Sequence, residues 1–187
     1  MALDTIVAAA TAWGQSAIAV VRLSGTGVRE ILEQVAVPRG GFPPPRRARF
    51  CEFKDSAGVF DEGLLTFFQA KSSYTGEPSA ELSCHGNPLL VERLIAACVS
   101  HGARVANPGE FTRRAFLNGR LDLTRAEAVL QAIEATSAEG LRVARSGLSG
   151  EVAGLVDSLR TQLTEAIAEL EARLDYPGED LVFEDDH

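Results

Sequence analysis

Residues Ala80–Gly102 read AELSCHGNPLLVERLIAACVSHG, and the change of period inside them decides the fold. Up to Gly86 the apolar positions alternate. Ala80, Leu82 and Cys84 share one face of a strand, and Glu81, Ser83 and His85 share the other. From Asn87 onward Val91, Leu94, Ile95 and Cys98 recur at helical spacing. Asn87 suits the N-cap, Pro88 the first helical position and Gly102 the position just past the end. The same alternation bears on chemistry. A Cys–His dyad needs both side chains within hydrogen-bond reach, and adjacent strand residues point to opposite faces. Cys84 therefore reads as a core thiol. His85, at the strand end, is either a turn histidine or a site residue. Glu81 is the stronger candidate, because a carboxylate in mid-strand needs a wet or occupied face. Its plain alternative is a solvent-facing edge residue.

On the N-terminal side, TIVAAAT (Thr5–Thr11) and AIAVVRLSG (Ala17–Gly25) read as two strands buried on both faces. Helical spacing of Val28, Ile31, Leu32 and Val35 predicts a helix. RGGFPPPRR is a loop, since its consecutive prolines exclude helix and central strand. ARFCEF and EGLLTFF are strands around the turn-like KDSAGVFD, and AKSSYTGEPS is a second loop. On the C-terminal side, NPGEFTRRAFLNG predicts a helix capped by Asn107, started by Pro108, with Glu110 at the third position and Gly119 at its end. Beyond residue 120 there are no strand-like runs. Thr124 and Glu127 form a capping-box pattern. Leu148, Val152, Leu155, Leu159, Leu163, Ile167, Leu170 and Leu174 predict one long amphipathic helix, or two meeting near Gly147–Gly150. That apolar stripe calls for a partner. The expected fold class is α+β.

The chain has 187 residues, enough for one domain or one plus part of another. Three cysteines without a CxxC pattern point to a reducing compartment. The start MALDTIVAAATAWG lacks the basic flank of a signal peptide, and no run is long and apolar enough to span a membrane. Net charge is −8, which argues against nucleic acid as the sole partner, yet Arg104, Arg113, Arg114, Arg120 and Arg125 gather in one segment. They read either as a solvated face or as a surface for nucleic acid. A phosphate loop is excluded, because it needs lysine after glycine, and the only lysines, Lys54 and Lys71, follow Phe53 and Ala70. A metal site is not expected, since His101 and His187 are poorly placed to join His85.

Several stretches together carry a resemblance. They are DTIVAAAT, AIAVVRLSG, SYTGEPSAELSCHGNP, NPGEFTRRAFLNGRLDLTRAEAV and ARLDYPGED. From Asp4 to about Asp180 the chain resembles the MnmE (TrmE) family of tRNA modification GTPases. The resemblance implies a mixed-sheet folate-binding and dimerisation domain over residues 1–118, similar in fold to folate-dependent aminomethyltransferases. It implies the start of a helical domain over 119–176, and an acidic linker over 177–187 toward a GTP-binding domain that this sequence does not contain. The chain is thus expected to be part of a longer cytoplasmic protein. With the flavoprotein MnmG, that protein modifies the wobble uridine of certain tRNAs. Its GTP, Mg and K chemistry belongs to the domain not in the chain, so no catalytic residue is expected here.

The family's folate contacts fall on Arg22, Glu81 and Arg120, with a tetrahydrofolate derivative (5-formyl- or 5,10-methylene-) as the cofactor. A carboxylate accepts the two adjacent N–H donors of a pterin in parallel, and arginines hold its carbonyl and tail oxygens. The sequence departs from the family at AWGQS (Ala12–Ser16), where a Pro-Pro-Gly-Arg-Gly turn is usual. It also departs at Asn87 in CHGN and at Arg120, which replaces lysine. Two other readings compete. One is a stand-alone aminomethyltransferase-like folate enzyme, and the other is a scaffold whose folate site has decayed.

Overall fold

The structure is a computed structural model that describes residues 4–175. It divides into two compact units, Met1–Leu121 and Asp122–His187. The linker expected at residues 177–187 lies outside the described residues.

The first unit is built on strands β1 (Thr5–Ala9) and β2 (Ser16–Ser24), helix α1 (Val28–Val35), and strands β3 (Ala36–Pro38), β4 (Ala48–Asp55) and β5 (Gly58–Phe68). A 3₁₀ turn at Ala70–Ser72 leads to strand β6 (Ser79–Gly86), helix α2 (Pro88–Ser100), strand β7 (Ala103–Val105) and helix α3 (Glu110–Leu117). The strands make one mixed sheet in the order β3-β4-β5-β6-β2-β1-β7. Only the β1–β7 pairing is parallel. The α+β expectation holds.

Helices α1 and α2 both pack on one face of this sheet. Val21, Leu23, Leu65, Ala80, Leu82 and Cys84 meet Ile31, Leu32, Val91, Leu94 and Cys98 there. Each fully buried leucine contributes about 1.5–3 kcal/mol. The expectation that the first two strands are buried on both faces holds at the start of β1, where Thr5, Ile6 and Val7 are all buried, and fails for most of β2, whose other face is open. β2 alternates in its second half, and its beginning is open, with Ile18 63% exposed. The β4–β5 turn is tighter than its sequence implied: only Ser56 and Ala57 separate the strands, and Asp55 Oδ1 accepts the Ala57 N–H.

The opening stretch folds as its periods dictate. Asn87 is extended (φ −102°, ψ 124°) and its Oδ1 accepts the Leu89 N–H at 3.0 Å, closing an otherwise open donor of α2. Gly102 adopts φ +103° just past the helix, where other residues are strained. Asn87→Ala should lower stability by about 1 kcal/mol, read as a shift in urea midpoint with unchanged slope.

Two caps differ from expectation. α3 begins at Glu110 behind a left-handed Gly109, so Asn107 does not cap it. Instead the Glu110 carboxylate reaches back to the Asn107 N–H at 2.8 Å, held there by ion pairs described below. In the second unit, helix α4 (Leu123–Glu134) is capped by Asp122, whose Oδ1 accepts the Arg125 N–H, not by Thr124. Helices α5 (Ala138–Ser149) and α6 (Glu151–Asp175) break at Gly150, within the expected span, where φ is +82°. α4 and α5 approach closely where Gly147 meets Ala128 and Ala144 is fully buried. Leu155, Leu159, Leu163, Ile167, Leu170 and Leu174 remain more than half exposed along α6. No helix among the described residues is long and apolar enough to cross a membrane.

Candidate functional site

The site lies on the open face of the sheet. Its central rung runs Ala8 (β1), Arg22 (β2), Glu81 (β6), Thr66 (β5), each a register neighbour of the next. Glu81 Oε1 accepts from both Arg22 Nη2, at 2.7 Å, and Arg22 Nε, at 3.1 Å. Both donors fall on one oxygen, and Oε2 is left to other donors. Each side chain keeps about a third of its surface open, 32% for Arg22 and 35% for Glu81. Tyr74 and Phe111 flank the guanidinium, their ring centroids 5.8 and 5.9 Å from its carbon.

Arg22 forms part of the wall of two hollows. The inner one, about 110 Å³, is lined by Arg22, Glu81, Phe68, Ser72, Tyr74, Thr75 and Ser79. The outer one, about 320 Å³, lies over Ala8–Ala10 and the approach to α3, Ala106 to Gly109, with Phe111. Alanines on β1 leave the outer hollow open, since larger side chains there would fill it.

One rung along the same face, Ser24 and Ser79 are register partners buried under the loop that carries Thr75 and Glu77. Ser24 Oγ lies 2.6 Å from Thr75 Oγ1 and donates to Glu77 Oε2 at 2.9 Å, and Thr75 also meets Ser79. Glu77 Oε2 accepts from Arg114 Nη1 at 3.1 Å. Arg114, 4% exposed, further donates to Asp4 Oδ1 at 2.7 Å and Glu110 Oε1 at 3.1 Å. Arg104 donates to both oxygens of Glu110 and to Asp4. Arg104 above all, with the Asn107 N–H and Arg114, holds the Glu110 carboxyl at about 2, against burial that pushes it up. This ionic knot fastens the Thr75–Glu77 loop and the start of α3 to the sheet, and so fixes both sides of the two hollows.

The structure brings Arg22 and Glu81 together. It places Arg120 just past α3, exposed, with Nη1 3.4 Å from the Lys71 carbonyl and its stem over Gly76, above the loop that lines the inner hollow. His85 stands apart, outside both hollows. Its Nδ1 lies 2.6 Å from Asp61 Oδ1 and its N–H donates to Asp61 Oδ2, and hydrogen bonding to that carboxylate raises its pKa. Cys84 is buried, and desolvation pushes its thiol up to about 11, far from a nucleophile's range. Of the arginine-rich segment, Arg104 and Arg114 are consumed in the knot, and only Arg113 and Arg120 of the first unit stand exposed. Sequence reasoning missed Tyr74, Thr75, Ser79 and Phe111. An aromatic beside threonine in a Gly/Pro-containing loop was the available signal for the first two.

Comparison with known proteins gives two matching family models. The one described as GTP-binding protein TrmE N-terminus matches residues 5–120, and the one described as MnmE helical domain matches residues 123–187. Curated proteins named tRNA modification GTPase MnmE are similar along nearly the whole chain. That of Akkermansia muciniphila is 48% identical over 181 residues, covering 95% of this chain and 40% of that relative. That of Nitrosococcus oceani is 43% identical over 181 residues, covering 96% and 39%. That of Thermotoga maritima is 45% identical over 177 residues, covering 95% and 39%. The chain spans about 40% of the length of these relatives.

Proposed function

The chain belongs to the MnmE family of tRNA modification GTPases, as its N-terminal and helical domains, and on that premise we propose that its first unit binds a tetrahydrofolate derivative at the Arg22–Glu81 pair. The pair's geometry carries this reading. Glu81 offers a carboxylate edge to adjacent N–H donors, and Arg22, once displaced from it, offers a guanidinium to the ligand's oxygens. Pockets for small molecules span roughly 300–1,000 Å³. The inner hollow is too small alone, and the two together, joined by movement of Arg22, are of the right order. Arg120, which reaches the Lys71 carbonyl, would meet an anionic tail there. The one-carbon donor is then the 5-formyl- or 5,10-methylene- form.

The remaining roles follow the family. The first unit pairs two copies of the chain, which the exposed Ile18 and Leu64 of the open face support. The longer protein of which the chain is a part works in the cytoplasm with MnmG on the wobble uridine of tRNA. Its GTP, Mg and K are bound outside this chain. Family membership speaks against a stand-alone aminomethyltransferase, and the intact Arg22–Glu81 pair speaks against a decayed scaffold.

Titration calorimetry with 5-formyltetrahydrofolate is the test. The wild-type chain should bind. Glu81→Ala, still folded by circular dichroism, should bind roughly 10- to 100-fold more weakly or not at all. Absence of any heat with the wild type overturns the folate reading.

A further inference from the structure

The loop between β3 and β4 carries a charge pattern unlike the rest of the chain. From Gln34 to Cys51 there is no acidic residue, and Arg39, Arg46, Arg47 and Arg49 all fall there. The chain as a whole has 26 acidic residues against 18 basic ones, so this stretch runs counter to the protein's own charge. Arg39, Arg46 and Arg47 are exposed. Among the described residues the side chains of Arg46 and Arg47 make no hydrogen bond or ion pair. Arg104 and Arg114, of the segment that looked basic in sequence, are by contrast fully engaged.

The loop is also held still. Phe42 packs edge-on against Phe67 at 5.3 Å, and Pro43 is buried. The Arg47 N–H donates to the Pro44 carbonyl and the Arg46 N–H to the Phe67 carbonyl. Arg49 Nη1 ties back to the carbonyls of Arg39 and Gly40. Arg39 lies over Phe50 at 4.6 Å. Arg46 itself has φ +62°, the one non-glycine residue among those described with positive φ. That conformation is unfavourable for any residue with a Cβ. The backbone bonds on either side fix it and set Arg46 and Arg47 outward side by side.

We propose that this loop is a binding surface for the phosphodiester backbone of RNA, an inference that rests on the reading of tRNA as the family's substrate. Guanidinium groups match phosphate oxygens in paired geometry, and a pre-ordered set of them loses little entropy on binding. Two adjacent guanidinium groups on an exposed loop meet phosphates whatever the base sequence, so the loop positions RNA. An anionic membrane is the poorer fit. Interfacial binding wants exposed apolar side chains beside the cations, and here Phe42 is turned onto Phe67 and the tip residues are prolines and arginines.

The experiment is fluorescence anisotropy of a labelled tRNA transcript titrated with the 187-residue chain between 50 and about 200 mM salt. Binding should weaken steeply with salt. Arg46→Gln with Arg47→Gln should weaken it about tenfold at 100 mM and reduce the slope of log K against log[salt] by about 1.5, two phosphate contacts' worth. Arg113→Gln should leave both unchanged. Melting temperature and 5-formyltetrahydrofolate binding should be unaffected in both variants. If the chain binds tRNA but the Arg46/Arg47 variant matches wild type, the loop is overturned and the tRNA reading stands. If the chain binds no tRNA at any salt, this RNA surface is overturned, and the folate reading is judged separately by calorimetry. Stronger retention on phosphatidylserine vesicles than on tRNA, lost in the same variant, overturns RNA in favour of a lipid surface.

Discussion

Arg114→Met should destabilise the sheet unit by about 3–5 kcal/mol, a large share of a total near 5–15. The guanidinium sits between Glu77 and Glu110, both more than nine-tenths buried at the side chain. Methionine has a similar length and fills the space, so the loss is electrostatic and not a cavity. Without Arg114, Glu77 loses the one cation it pairs with among the described residues, and a buried carboxylate without a counter-charge is among the costliest defects in a protein. Glu77 is already poorly provided for, since its Oε1 is buried without a hydrogen-bond partner among the described residues. Amide hydrogen exchange of β2 and β6 under urea reads the unit directly and is blind to the helices of the second unit. A double-mutant cycle with Glu77→Gln separates the pair from the scaffold: the second change should recover 1 kcal/mol or more. Arg113→Met, one residue away and exposed, should stay within about 0.5 kcal/mol. Equal losses from Arg113 and Arg114 would refute the assignment.

That contrast between neighbours shows what the sequence could and could not convey. Ala80–Gly102 was readable because its signals are local: alternation, then helical period, then Asn87, Pro88 and Gly102 as punctuation. The break at Gly150 was readable for the same reason. The β3 and β7 strands were not, because three residues hold too little period to register, and their pairing with β4 and β1 comes from tertiary docking. The start of α3 was misplaced because the Glu110 carboxylate is held by Arg104 and by Arg114, and Arg114 is itself fixed by Asp4 and Glu77. No local rule brings those two distant carboxylates to Arg114. Glu81 stood out by its mid-strand position, and Arg22 was named by resemblance. That they are register partners in adjacent strands follows from a β2–β6 pairing of residues 59 apart. In the basic segment from Arg104 to Arg125, charge counting could not show that Arg104 and Arg114 are taken up by ion pairs while Arg113 and Arg120 stand exposed. The proline-rich loop before β4 holds Arg46 and Arg47, whose side chains have no partner among the described residues, while Arg39 pairs with Glu52 and Arg49 ties back to the loop.

Lowering the pH from 5 toward 2 should remove on the order of 3 kcal/mol from the sheet unit through Glu110 alone. The carboxyl titrates at about 2 when folded, against 4.5 ordinarily. The unfolded chain therefore takes up the proton first. Stability from this group is complete above about 4.5 and disappears as pH falls through about 2. Asp4 acts in the same direction, because Arg104 and Arg114 hold it below its ordinary value. It is half exposed, so salt screens its share. Asp55, lowered by Arg93, adds a surface contribution of the same sign. His85 works the other way and elsewhere on the scale. Its raised pKa stabilises below the ordinary 6.5 and that stabilisation is lost as pH climbs through the folded value, so it cannot produce an acid transition. The check is a series of urea midpoints at constant ionic strength from pH 7 to 2, for wild type and Glu110→Gln. The glutamine keeps the shape but has no charge to lose. Its curve should start lower at pH 7, run flatter through the acid limb, and meet the wild type near pH 2. Parallel curves would mean that the knot around Glu110 does not govern acid unfolding, and that the hollows beside Arg22 are fixed by something other than these ion pairs.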